Sequence, residues 1–203
     1  MIPTDQAMTT ANKITIARIL LIPFFVVEVL YYMKTGYEVH RLLAIVVFAI
    51  AAICDGVDGY IARRYSQRSE LGAILDPLAD KLLLLSGIVL FSLSNPRLGT
   101  LPLWLTGTII GRDVLLLLGL LVIQITVGKV RVRPRFLGKV ATVLQMLCLV
   151  WILMKWDRYL PEAWFLIWTI GAGVFTGISG LWYVSDGVRH LSSHPTSLPA
   201  AKQ

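Results

Sequence analysis

The feature that most constrains this fold is a succession of long apolar segments. The first, ITIARILLIPFFVVEVLYYM, covers residues 14–33 and holds a single arginine and a single glutamate. A helix needs roughly 20 such residues to cross a bilayer. Backbone polar groups cannot stay unpaired in lipid, so segments of this kind cross it as helices. The sequence therefore predicts an all-α integral membrane protein.

Six segments of this kind predict a six-transmembrane-helix bundle. The hydrophobic share of 56% and charged share of 15% agree with this, because soluble domains carry about 25% charge. We expect one domain over 14–190, a polar N-terminal segment over 1–13 and a polar tail over 191–203 that is predicted to be disordered. The predicted spans lie at about 14–33, 41–62, 76–94, 101–127, 138–155 and 161–186.

The formal net charge of +7 indicates lipid headgroups rather than nucleic acid as the acidic partner of such a chain. Most of the 19 Lys and Arg residues fall on one predicted side of the membrane. They lie near the N-terminus (Lys13 and Arg18), after the second and fourth spans, and in the tail. Cytoplasmic loops carry the excess of basic residues. We predict that both termini face the cytoplasm and that no nucleic acid binds.

Four aspartates fall on the predicted cytoplasmic side of the second and third spans. Asp55 and Asp58 are three residues apart and Asp76 and Asp80 are four apart, so each pair shares a helix face. Carboxylates crowded in a partly dehydrated site must bind protons or cations. Mg²⁺ prefers oxygen ligands and often bridges carboxylates to substrate phosphates. The sequence predicts a metal site there, which two ions could use for phosphoryl transfer.

Small and basic residues accompany these acids. Gly59 and Gly72 would let a substrate or a neighbouring helix approach the backbone. Ala62, one turn after Asp58, adds only a small side chain to the same helix face. Arg63 would supply positive charge where a diphosphate could lie. The alternative is that the aspartates are ordinary charges at span ends, paired with nearby arginines. Four acids at paired helical spacing with glycines between them favour the site.

The stretch DGVDGYIARRYSQRSELGAILDPLAD, residues 55–80, has the spacing D-x₂-D-G-x₂-A-R-x₈-G-x₃-D-x₃-D. It resembles the signature of the CDP-alcohol phosphotransferase (phosphatidyltransferase) family. NKITIARILLIPFFV and RPRFLGKVATVLQM are similar to the first helix and the fifth-helix entry of its phosphatidylglycerophosphate synthase and cardiolipin synthase branch.

This resemblance implies a six-helix membrane enzyme of phospholipid biosynthesis, usually a homodimer, in the inner membrane of a bacterium. It implies that Asp55, Asp58, Asp76 and Asp80 hold Mg²⁺ or Mn²⁺, as two ions. It also implies that Asp80 is the general base and that a CDP-binding surface contains Gly59, Ala62 and Arg63, to which we add Gly72. A hydroxyl would attack the lipid-bearing phosphorus of CDP-diacylglycerol, and CMP would leave.

The acceptor alcohol is less constrained. Glycerol-3-phosphate is our first choice, and its phosphate needs basic partners. An arginine inside a span is costly and usually functional, although Arg112 could instead pair with Asp113 or with a motif carboxylate. Lys139 could be a snorkelling residue, and the loop arginines could be a positive-inside anchor. The candidates are Arg112, Arg133, Arg135 and Lys139.

Phosphatidylglycerol is a close alternative acceptor. Phosphatidylglycerophosphate synthases usually have Arg-Glu where this chain has Arg112-Asp113, a basic residue where it has Leu120, and a lysine where it has Ala141. The Arg-Asp pair looks more like the cardiolipin synthases of the family. Their acceptor phosphate is a diester, for which fewer basic contacts would suffice.

Two other classes of protein fit parts of the sequence. A small cation or proton transporter could use the four aspartates, since acids inside membranes mark ion pathways. Against it, the acids gather at one face and no inverted repeat is apparent. A structural membrane protein would explain Gly173 and Gly177, four apart, as a helix-packing face. An enzyme dimer would explain them equally well.

Overall fold

The computed structural model describes residues 10–64, 70–126 and 136–193. It gives the backbone alone for 10–14, 55–64, 70–78, 80, 120–126, 136, 184 and 186–193. The described residues form six α-helices and one short 3₁₀ helix, Trp156–Arg158. The all-α prediction is confirmed for this part of the chain. The helices are α1 Thr10–Thr35, α2 Glu38–Arg64, α3 Glu70–Ser92, α4 Leu103–Thr126, α5 Phe136–Met154 and α6 Glu162–Ser193.

Helix α3 begins six residues before the predicted third span, at Glu70 rather than near residue 76. Hydropathy identifies the part of a helix that lipid can cover, whereas the helix itself continues into polar sequence. Asp76 and Asp80 therefore lie inside α3 rather than at its first turn. Pro77 is also inside the helix, so the carbonyl of Ala73 lacks its usual N–H donor.

The surface of the helices is that of an integral membrane protein. Three segments with described side chains are long and apolar enough to cross a bilayer: Thr15–Thr35, Leu137–Met154 and Glu162–Tyr183. Large apolar side chains also point outward, with Leu103 74% and Leu181 75% exposed. Such side chains would be costly in water, and lipid removes that cost.

Helices α1, α2 and α3, with Cys148–Glu162, belong to one compact unit. Gly36 and Tyr37 alone separate α1 from α2, and Gly36 adopts the left-handed conformation that a turn this tight requires (φ 79°). Helix α1 packs against both α2 and α3. Phe25 and Phe48 meet in this core, with ring centroids 5.6 Å apart. The two-residue turn makes α1 and α2 an antiparallel pair.

Three charged side chains and one tyrosine, called here the Glu38 cluster, meet at the end of this unit that carries the α1–α2 turn. Its members are Glu38, Arg41, Lys155 and Tyr32. Lys155 Nζ lies 2.8 Å and Arg41 Nε 2.6 Å from the Glu38 carboxylate, and Lys155 also lies 4.8 Å from the centre of the Tyr32 ring. The hydrogen bonds from Lys155 and Arg41 lower the pKa of Glu38 from its ordinary 4.5 to about 2. Lys155 is held in a left-handed conformation (φ 54°), which is uncommon for a side chain of this size.

The loop after α3 is fastened to the C-terminal end of α1. Arg97 Nη1 donates to the Met33 carbonyl at 2.6 Å, and the Asn95 amide donates to the same oxygen at 3.3 Å. The backbone N–H of Leu101 donates to the carbonyl of Phe91 at 2.7 Å. The C-terminal ends of α1 and α3 therefore lie together, and the two helices run parallel.

Helix α4, the part of α5 up to Leu147 and helix α6 from Ala163 belong to a second compact unit. Here α4 and α6 approach closely at Gly173, where an added Cβ would lie 2.5 Å from the Trp104 ring. Helices α5 and α6 are joined by a buried hydrogen bond from the Gln145 amide to Thr176 Oγ1 at 2.8 Å. The predicted limits of a single domain, 14–190, and of its flanking segments stay predictions.

Candidate functional site

Helix periodicity groups the predicted metal ligands with the small residues beside them. On α2, positions 55, 58, 59 and 62 follow the i, i+3, i+4, i+7 pattern and lie on one face. On α3, positions 72, 76 and 80 are each four apart and form one stripe. The backbone thus places Asp55, Asp58, Gly59 and Ala62 on one helix face. Gly72, Asp76 and Asp80 share a stripe on the next helix. Arg63 follows in the last turn of α2.

The side chains of these residues lie outside the described part of the structure. Among the side chains that are described, no three His, Cys, Asp or Glu residues meet as a metal site. The four aspartates are not among them, so their role as ligands stays a prediction. The chemistry of the donor set fits a hard divalent ion, since it consists of carboxylates placed in pairs on helix faces.

Arg18 lies at about the same height in the first unit as positions 55 and 76. It precedes the end of α1 by 17 residues, and Asp55 follows the start of the antiparallel α2 by the same 17. Asp76 precedes the end of the parallel α3 by 16 residues. At 1.5 Å per residue these offsets agree to about one helix turn. Position 18 of α1 therefore lies level with positions 55 and 76 along the helix axes.

Sequence reasoning missed Arg18, which it counted only among basic residues near the membrane surface. The residue is completely buried, as is Thr15 one turn before it. Only the structure shows that positions 15 and 18 continue the buried face of α1 at helical spacing, because the sequence of this helix is apolar on both faces. That face consists of Thr15, Arg18, Ile22, Phe25, Val29 and Tyr32.

Arg112 is the candidate acceptor residue that the structure describes best. Its side chain is 10% exposed in the second unit. Nη1 lies 2.8 Å from Asp113 Oδ1, and Nε donates to Ser179 Oγ at 3.2 Å. The guanidinium carbon is 5.9 Å from the centre of the Tyr183 ring. The alternative of a local pair with Asp113 is confirmed, and it leaves part of the guanidinium to other partners.

The guanidinium of Arg112 reaches the first turn of α5. A Cβ added to Gly138 would lie 3.1 Å from Arg112 Nη2. The next residue, Lys139, is exposed. The structure therefore brings Arg112 to the turn that carries Lys139. Arg133 and Arg135 lie outside the described residues.

Comparison with known proteins assigns the chain to a family. The sequence model of CDP-alcohol phosphatidyltransferases matches residues 8–177. A CDP-diacylglycerol–glycerol-3-phosphate 3-phosphatidyltransferase of Salmonella typhimurium is 36% identical over 177 residues, which is 85% of this chain and 91% of that protein. A probable phosphatidylglycerophosphate synthase of Mycobacterium tuberculosis is 32% identical over 182 residues, covering 89% and 82%.

The chain belongs to the CDP-alcohol phosphatidyltransferase family. The predictions of a membrane transferase and of phospholipid biosynthesis are confirmed. The matched region includes both the α2 face of Asp55, Asp58, Gly59 and Ala62 and the α3 stripe of Gly72, Asp76 and Asp80.

Proposed function

We propose that this chain is a phosphatidylglycerophosphate synthase. It transfers the phosphatidyl group of CDP-diacylglycerol to glycerol-3-phosphate and releases CMP. The observation that carries this proposal is the likeness, over most of both chains, to transferases named for that donor and acceptor. The Shigella flexneri relative is 34% identical over 177 residues and carries the same name.

The surroundings of Arg112 support an acceptor that carries a phosphate. A guanidinium forms short, charge-assisted hydrogen bonds to phosphate oxygens. Arg112 Nη2 approaches Gly138, and Lys139 is the next residue along α5. A second cation is therefore carried by the same helix turn. Arg133 and Arg135 are proposed as further contacts. Phosphatidylglycerol is the second candidate. Asp113 already balances much of the Arg112 charge, and a phosphodiester needs fewer basic contacts than a phosphomonoester.

The four aspartates are proposed to hold divalent ions, Mg²⁺ or Mn²⁺, and two of them. When bound, such ions would neutralise the charge on the donor diphosphate and on the departing CMP. Gly59, Ala62, Arg63 and Gly72 are proposed to form the surface for the CDP moiety. The small residues leave the backbone open to the nucleotide, and Arg63 adds a cation for its phosphates.

The residues of the chain would position the reactants and move one proton. Arg112 and Lys139 orient the acceptor, and Asp80 accepts the proton of its attacking hydroxyl. The new bond joins that oxygen to the lipid-bearing phosphorus, and the bond from this phosphorus to the CMP oxygen breaks. Cleavage of the phosphoanhydride supplies the driving force, so most of the catalysis is positioning and charge stabilisation.

All six helices are proposed to cross the inner membrane of a bacterium, with both termini and the site on the cytoplasmic side. We also propose that the enzyme is a homodimer surrounded by membrane lipids. The distribution of Lys and Arg along the sequence supports this orientation.

The proposed reaction is tested by CMP release from purified protein in detergent micelles. CDP-diacylglycerol and Mg²⁺ or Mn²⁺ are supplied with glycerol-3-phosphate in one reaction and with phosphatidylglycerol in another. We expect CMP only with glycerol-3-phosphate. Release with phosphatidylglycerol alone would establish the second candidate, and release with neither would exclude both acceptors.

The role of Asp80 is tested by Asp80→Asn, which keeps the shape of the side chain and removes its basicity. We expect kcat to fall about 100-fold or more, since a general base commonly contributes 10²–10⁴. Glu70→Gln is the matched control, because it removes a carboxylate from α3 outside the stripe of Gly72, Asp76 and Asp80. Comparable activity of Asp80→Asn and Glu70→Gln would contradict the assignment.

A further inference from the structure

Helix α6 makes two contacts with the guanidinium of Arg112, in addition to its ion pair with Asp113. Ser179 Oγ accepts a hydrogen bond from Nε at 3.2 Å, and Ser179 itself is buried. The Ser179 hydroxyl is fixed in turn, because it donates to the Thr176 carbonyl at 3.0 Å. Tyr183, four residues later on the same face, places its ring 5.9 Å from the guanidinium carbon. Both contacts orient the guanidinium plane and neither neutralises its charge.

Two glycines make room for this arrangement. A Cβ at Gly180 would lie 3.2 Å from Arg112 Cγ, and one at Gly138 would lie 3.1 Å from Nη2. Both distances are tighter than ordinary van der Waals contact. Gly180 thus lets the stem of Arg112 lie against α6, while Gly138 lets its far end approach α5. Gly177, one turn before Gly180, differs: a Cβ there would meet no described heavy atom within 4 Å.

We propose that Ser179, Gly180, Tyr183 and Gly138 are positioning residues for the acceptor. They fix the Arg112 guanidinium so that Nη2 is presented to the phosphate of the alcohol at the first turn of α5, the turn that also carries Lys139. This inference rests on the proposed function. It adds that acceptor recognition depends on α6, whose residues would act through Arg112 without touching the substrate.

The contacts also indicate the class of acceptor that this arrangement selects. Asp113 and Ser179 engage Nη1 and Nε, which leaves Nη2 as the nitrogen nearest α5. One guanidinium nitrogen in a fixed place, at a turn that also carries a lysine, suits a compact terminal phosphate with several free oxygens. Variants that leave the guanidinium less well fixed should therefore weaken the binding of phosphomonoester acceptors more than the binding of uncharged ones.

The test measures KM for glycerol-3-phosphate, KM for CDP-diacylglycerol and kcat in a set of single variants. Arg112→Ala should raise the acceptor KM about 100-fold, as expected when a charged hydrogen-bonding partner is lost. Ser179→Ala and Tyr183→Leu should each raise it about 5-fold, the effect of one hydrogen bond or one cation–π contact. Tyr183→Phe keeps the aromatic ring, so its KM for glycerol-3-phosphate should stay closer to the wild-type value than that of Tyr183→Leu. KM for CDP-diacylglycerol should stay within about 2-fold in all of them.

The glycines supply a matched pair of variants. Gly180→Ala should raise the acceptor KM severalfold because the Arg112 stem must shift, whereas Gly177→Ala should leave it unchanged. Both changes replace a glycine by alanine in the same helix, one turn apart, so effects on helix propensity cancel. Thermal unfolding of each variant in detergent identifies any general loss of folding.

Three outcomes separate the inference from the proposed function. If Arg112→Ala raises the acceptor KM and the α6 variants do not, positioning by α6 is wrong while the synthase assignment stands. If Arg112→Ala leaves the acceptor KM unchanged in an active synthase, the inference also fails. If the wild type uses phosphatidylglycerol and not glycerol-3-phosphate, the proposed function fails, and the same KM comparison with that acceptor decides the inference.

Discussion

Arg18 and Arg112 are two arginines inside apolar helices, and their surroundings differ. Arg112 has its partners nearby in the second unit, in Asp113, Ser179 and Tyr183. Arg18 is fully buried in the first unit, at about the height of positions 55 and 76. The sequence alone predicts that a charge inside a span matters. It cannot say which arginine turns inward, because long side chains near span ends can also reach the headgroups.

Removal of Arg18 should destabilise the first unit. Arg18→Ala empties a completely buried volume and removes a buried cation together with its interactions. We expect the free energy of unfolding to fall by about 3 kcal/mol, the typical cost of breaking a buried charge arrangement. Chemical unfolding in detergent measures this. Lys34→Ala is the control in the same helix, since Lys34 is exposed. Equal losses in the two variants would contradict a structural role for Arg18.

Ionisation of Glu38 should make the stability of the fold depend on pH in the acidic range. Its pKa is about 2 in the folded protein, below the ordinary 4.5, because Lys155 and Arg41 bind its charged form. The stabilisation is therefore complete above pH 4.5 and is lost as the pH falls toward 2. The side chain is 53% exposed, so water screens the pair and we expect only about 1 kcal/mol.

The measurement compares thermal unfolding of the wild type and Glu38→Gln between pH 7 and pH 3. The variant should be less stable at pH 7, and the difference should shrink below pH 4.5. Glu162→Gln removes another exposed carboxylate and serves as the control for the loss of a surface charge. A constant difference across the whole range would mean that ionisation of Glu38 does not stabilise the fold.

At the scale of single helices, sequence predicted the number and type of elements and the spacing of the aspartates. It failed on which face of each helix is inside. Leu20 is 68% exposed and Phe25 is fully buried on the same helix, yet both are strongly apolar. A helix surrounded by lipid is apolar on both faces, so hydrophobic periodicity no longer separates core from surface. The helix ends were also misplaced where polar sequence continued the helix, as at Glu70.

The glycines of α6 illustrate this limit and allow a test of close helix packing. Sequence placed Gly173 and Gly177 together on a packing face, whereas the structure puts the Trp104 ring against Gly173. Gly173→Val should lower the free energy of unfolding by about 1–3 kcal/mol through overpacking against that ring. Gly177→Val introduces the same β-branched residue one turn later and should cost less. The helix contact would be wrong if both variants lost the same stability.

At the scale of the whole molecule, the pattern of basic residues and the helix connections predict the sidedness of the chain. Tyr37, after α1, and Tyr159, after α5, are 69% and 81% exposed and should both face away from the cytoplasm. Lys139, at the start of α5, should face it. Single cysteines at 37, 139 and 159, in a chain with Cys54 and Cys148 replaced by alanine, can be labelled with a membrane-impermeant maleimide. We expect labelling of intact spheroplasts at 37 and 159, and at 139 only after lysis.

The two-residue turn at Gly36 and Tyr37 also bears on how the chain enters the membrane. In the proposed orientation, the short connection would require α1 and α2 to enter the bilayer as one hairpin whose tip is carried across. The carboxylate of Glu38 and the guanidinium of Arg41, 2.6 Å apart just past the tip, would cross as a neutralised pair. In the same orientation, Asp55 and Asp58 would follow at the trailing end, on the side of the N-terminus. Insertion of the hairpin in this way would not require these two aspartates to pass through the hydrocarbon core.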